Sequence, residues 1–90
     1  MAQAVVDPAE LRRFAHNLKQ FNHELEDRLS VLHGQMTGLS QSWRDAEHEK
    51  FSAEFEQTLI VIHRFMDSVG DHIPFLLSKA QLIEEYMQQR

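Results

Sequence analysis

Leucine recurs every seventh residue through the first half of the chain, at Leu11, Leu18, Leu25, Leu32 and Leu39. Phe14 and Phe21 follow the first two leucines by three residues. Further along, the second apolar position moves one residue on, to Leu29 and Met36, while Arg28 and Gln35 take the sites that a strict repeat would make apolar. That drift is what a nearly straight helix of 3.6 residues per turn shows against a seven-residue repeat. No segment alternates with period two, so a strand is excluded. Asp7-Pro8-Ala9-Glu10 carries a capping residue, a proline suited to the first helical position and a glutamate at capping-box spacing. The first helix is therefore expected over about residues 8–38, roughly 45 Å long at 1.5 Å per residue. Gly38 is its expected terminator, and residues 1–6 read as a frayed tail.

A second apolar stripe runs from Phe51 through Phe55, Leu59, Ile62, Phe65, Val69, Ile73, Leu76, Ala80 and Ile83 to Met87, with steps of three and four. The second helix is expected over about residues 43–88. Ser42 offers a capping spacing with Asp45, and acidic Asp45, Glu47 and Glu49 suit the positive end of the helix dipole. Pro74 interrupts the stripe without changing its phase, so the helix is kinked or broken there. The fold class is all-α, an antiparallel helical hairpin, with residues 1–90 as one domain. With the bend centred near Gln41–Ser42, Leu11 falls opposite about Ile73. Phe75, Leu76, Leu77, Ala80, Leu82, Ile83, Tyr86 and Met87 then have no cover from the first helix, and all but Ala80 are large apolar or aromatic residues. An exposed apolar patch of that size marks an interface. The expected interface residues are Leu11, Phe14, Leu18, Phe75, Leu76, Ile83, Tyr86 and Met87, and the expected assembly is a dimer forming an elongated four-helix bundle.

Composition narrows the function. The net charge of −5 argues against a nucleic-acid surface, which needs clustered Lys and Arg. No stretch approaches the ~20 apolar residues of a membrane span, and the N-terminal segment lacks the basic flank and apolar core of a cleavable signal. There is no cysteine, and hence no disulfide or thiolate metal site. Six histidines, His16, His23, His33, His48, His63 and His72, raise the alternative of a small four-helix metal or cofactor bundle. The expected register brings His23 near His63 and His16 near His72. No Glu-x-x-His or His-Glu-x-x-His pattern accompanies them, so solvated or interface histidines are the simpler reading. They also make assembly a candidate for acid sensitivity, since imidazole gains charge near pH 6–7. No phosphate loop, nucleophile elbow or paired general acids are found, and neither an enzyme nor a cofactor is expected.

The short stretch between the two helices holds the only tryptophan, Trp43. Ala46 follows at plus three, Phe51 at plus eight and Phe55 four further on. This pattern in a cysteine-free, acidic chain of ninety residues resembles the WXG family, the roughly hundred-residue helical hairpins similar to the early secreted antigens and exported by type VII secretion. Trp43, Asp45, Ala46, Phe51 and Phe55 are the bend residues that carry the resemblance. Two positions depart from the family's pattern. Asp45 stands where the family has the glycine of Trp-x-Gly, and Arg90 stands where a tyrosine-led export signal, here Tyr86, would place an acidic residue. The resemblance implies a secretion substrate or its partner, homodimeric or paired with a related hairpin, and implies contact with a secretion component or larger effector. It places the chain in the cytoplasm, with export that uses no cleavable signal peptide. The alternative without export is a cytoplasmic adaptor or chaperone-like helical module.

Overall fold

A computed structural model describes residues 6–89. Most of the expected tail, residues 1–5, lies outside the described residues, as does Arg90. Two helices make up the fold, α1 (Pro8–Leu39) and α2 (Ala46–Gln88), packed as an antiparallel hairpin 69 Å long and 21 by 14 Å across. The start of α1 follows the local chemistry. The Asp7 carboxylate accepts from the Ala9 amide at 2.9 Å, and Pro8 opens the helix where its missing N–H costs nothing. Its end differs from expectation. The helix continues through Gly38, and no described residue has a positive φ. Ser40 instead closes the helix in right-handed geometry, its amide donating to the Thr37 carbonyl at 3.2 Å while the Gly38 carbonyl accepts from the Gln41 amide at 3.1 Å.

The connector is Ser40–Asp45, and α2 starts at Ala46, three residues later than its expected onset. Asp45, rather than Ser42, caps it. Its extended backbone turns the carboxylate onto the His48 amide at 3.0 Å. The helix then runs unbroken through Pro74 to Gln88. Gly70, four residues before Pro74, removes a side chain from the turn that the proline ring crowds.

Two lines of side chains from each helix form the seam between them. On α1 these are the leucine line and the line Ala15, Asn22, Leu29, Met36. On α2 they are Phe55, Ile62, Val69, Leu76, Ile83 and Leu59, Met66, Ile73, Ala80. Leu29, Leu59 and Met66 form the packed centre, with Leu25, Phe55 and Ile62 against them. Among the described residues only Ala15 and Ala80 are fully buried, as expected of a two-helix core with nothing on either side.

The register overturns the expected alignment. That alignment sets His33 opposite Phe51 and Arg12 opposite His72. In the structure His33 pairs with Glu56 and Arg12 with Glu84. The bend is longer than expected, and side chains on each helix lean toward that helix's own N-terminus. In an antiparallel pair this lean carries α1 side chains away from the bend and α2 side chains toward it, so each α1 residue meets a later α2 residue. The segment after Pro74 is consequently covered by α1: Ala80 has no exposure, Leu76, Leu77 and Ile83 are half-buried, and Glu84 is held by Arg12. His23 and His63, expected to meet, border different hollows. His23 borders a hollow lined by Asn22, Gly70, Ile73 and Leu77, whereas His63 borders another with Glu26, His33 and Glu56.

Candidate interaction face

In an antiparallel pair, the residue following a seam position points to the same side of the hairpin on both helices. That side is polar. Arg12 and Glu84 cross it as a fork, with Nε to Oε2 at 2.9 Å and Nη2 to Oε1 at 2.6 Å. The bidentate bond holds the Glu84 carboxyl below the usual carboxylate range and raises the Arg12 guanidinium. Nearer the bend, His33 Nε2 lies 2.9 Å from Glu56 Oε2, an ion pair when the imidazole is protonated.

The opposite side carries the residues three after the leucine line on α1 and three after the Phe55 line on α2. These are Phe14, Phe21, Arg28 and Gln35, facing Phe51, Thr58, Phe65, His72, Lys79 and Tyr86. The neighbouring line of α2 adds Val61, Phe75 and Leu82. The exposure here is large: Phe14 55%, Phe65 51%, Phe75 63%, Leu82 66% and Tyr86 70%. Four of the eight expected interface residues, Phe14, Phe75, Tyr86 and Met87, are exposed. The other four, Leu11, Leu18, Leu76 and Ile83, are half-buried on the seam lines, so their first contact is with the other helix of the same chain.

At the bend end an aromatic cluster continues the open side. The Trp43 and Phe51 ring centres are 6.0 Å apart, and Phe51 stacks on Phe55 at 5.8 Å. The Trp43 edge meets the buried His48 ring at 5.0 Å. His48 also contacts the Ser52 hydroxyl at 3.3 Å. The bend itself is closed by the Trp43 amide donating to the Leu39 carbonyl at 2.8 Å. Asp45 has φ −93°, a conformation open to any residue, which explains why the turn forms without glycine at this position.

The sequence model for the family described as proteins of 100 residues with WXG matches residues 3–70, a span that includes this bend. The chain belongs to the WXG100 family. Its hairpin is also similar to crystal structures of the secreted protein EsxB from Bacillus anthracis strain Sterne. A selenomethionine-labelled form superposes with a TM-score of 0.79 at 26% identity, covering 96% of this chain and 98% of that one. A glycine-to-alanine mutant form gives 0.78 at 27% identity, over 94% and 98%. Nothing among curated proteins matches the sequence significantly. The structural likeness extends well beyond the matched 3–70 span, into the part of α2 that follows Pro74.

Among the described residues no three His, Asp or Glu side chains are grouped to hold a metal ion, and no helix is long and apolar enough to cross a membrane. Sequence reasoning missed two seam features of this WXG100 hairpin, the buried His48 and the polar Asn22. Asn22 was detectable, since it lies seven residues from both Ala15 and Leu29.

Proposed function

We propose that this WXG100 chain is a non-catalytic docking hairpin of type VII secretion. It pairs through its aromatic side with a second hairpin, its own copy, to form an elongated four-helix bundle that is itself cargo or carries a partner out. The observation that carries the reading is the row Phe14, Phe21, Phe65, Phe75 and Tyr86 along one side of a two-helix seam. Burying a large apolar side chain is worth ~1.5–3 kcal/mol, and aromatic residues dominate interface energetics. A surface 69 Å long suits another hairpin better than a short peptide. Likeness to a secreted protein over nearly its whole length supports the secretion role. With Arg90 in place of the acidic residue after Tyr86, neither copy in the bundle carries that signal, and export of the bundle as cargo draws on one supplied by a further partner.

Light scattering of Phe21→Glu and Phe65→Glu tests the pairing: each is expected to run as a helical monomer. Expression in a host with a type VII system tests the export. Appearance of the chain outside the cell, dependent on the system's ATPase, is expected. An intact dimer retained in the cytoplasm would favour the adaptor role instead.

A further inference from the structure

Away from the bend and its buried His48, the seam contains a side chain that hydrophobic packing does not explain. Asn22 occupies the α1 line that otherwise reads Ala15, Leu29, Met36. Its Nδ2 donates to the Met66 backbone carbonyl at 2.9 Å, across 44 residues of sequence. Its Oδ1 is buried and has no hydrogen-bond partner in the protein. The amide orientation follows from the carbonyl, since turning it would set two oxygens against each other.

A helical carbonyl is normally covered by the side chain about one turn further on, because side chains lean toward the N-terminus. For Met66 that residue is Gly70, the only glycine in α2. A Cβ placed at Gly70 would lie 3.9 Å from Asn22 Nδ2, so a methyl fits, while a longer side chain would close the window. The Gly70 carbonyl is crowded in turn by the Pro74 ring. Among the carbonyls along the α2 seam, Met66 is thus the one left uncovered by a glycine.

The rest of the seam repeats. Apolar lines with steps of three and four pack nearly as well after a slide of one turn, 5.4 Å. The connector does not forbid that slide. Gly34 and Gly38 lie in the last turns of α1, each weakening the helix relative to Ala, and an added Cβ at either would meet nothing within 4 Å. Although Met36 is buried between them, that low helix propensity lets the end unwind to lengthen the link. We infer that Asn22 is a register pin: its hydrogen bond to Met66, through the gap left by Gly70, selects one alignment of α1 on α2 from several of similar apolar packing. That alignment brings Phe21 level with Phe65. The pin is independent of what docks on them.

The test is a spin-label distance. The chain has no cysteine, so nitroxides at Lys19→Cys and Lys50→Cys, two exposed sites well separated along the axis, report the slide directly. Labelled chain is diluted into unlabelled chain so that only distances within a hairpin are read. The parent is expected to give one narrow distance. Asn22→Leu, apolar and of similar size, is expected to stay helical and to add a second population displaced by about 5 Å. Gly70→Leu is expected to do the same with Asn22 retained. A single distance, unchanged from the parent, in folded Asn22→Leu would overturn the inference even if Gly70→Leu fails to fold.

Discussion

The two sides of the helix seam border the same apolar lines yet are built from different chemistry. One is crossed by Arg12–Glu84 and His33–Glu56. The other presents Phe14, Phe21, Phe65, Phe75 and Tyr86 with nothing across them. The ion pairs sit at the surface, where their attraction is largely offset by hydration and ordering. They satisfy a side that faces water. The aromatic side has a large burial gain still to make, and only a second surface can supply it. A hairpin of two helices is thus incomplete in one direction only, and that direction is written in the residues three after each seam line.

Breaking the seam itself should have the largest effect. Leu59→Ala, in the packed centre, is expected to cost ~2–5 kcal/mol, read as a loss of cooperative thermal unfolding in circular dichroism. On the aromatic side Phe65→Ala should leave the helices formed but weaken self-association about 30-fold, equivalent to ~2 kcal/mol at an interface centre, by sedimentation equilibrium. At the bend, Asp45→Ala removes the cap on the His48 amide and should cost ~1 kcal/mol. Asp45→Gly, which restores the family's motif, should cost only a few tenths.

The polar side should respond least. Arg12→Ala is expected to lower the thermal midpoint slightly at pH 7 and to leave the oligomeric mass unchanged. The sign of its pH dependence follows from Glu84, whose carboxyl is depressed in the folded chain by the Arg12 fork. That contribution is complete above the ordinary glutamate pKa and is lost as pH falls through the depressed value. Parent and Arg12→Ala melting curves should therefore converge at acid pH. A gap that persists after Glu84 is protonated would mean that Arg12 acts through packing.

Most of the fold was legible because helices announce themselves locally. The leucine line, Asp7-Pro8 and the phase of the α2 stripe require no knowledge of the partner element. The register was not legible from helix lengths alone, because it depends on six connector residues and on the lean of every side chain. A shift of a few residues moved the uncovered part of α2 from one end of the hairpin to one side of it. Phe14, Phe75 and Tyr86 were marked as interface residues from the sequence, but Phe21 and Phe65 acquire the same standing only once Arg12–Glu84 shows which side is closed. Asn22 reads as solvated when taken alone, and its place on the seam was legible only through the seven-residue steps that join it to Ala15 and Leu29.

Light scattering of the unmodified chain at micromolar concentration tests the central claim most directly. An aromatic side that exists to be covered predicts a species of two chains, twice the 10.6 kDa of one. A folded, helical species of 10.6 kDa would contradict it.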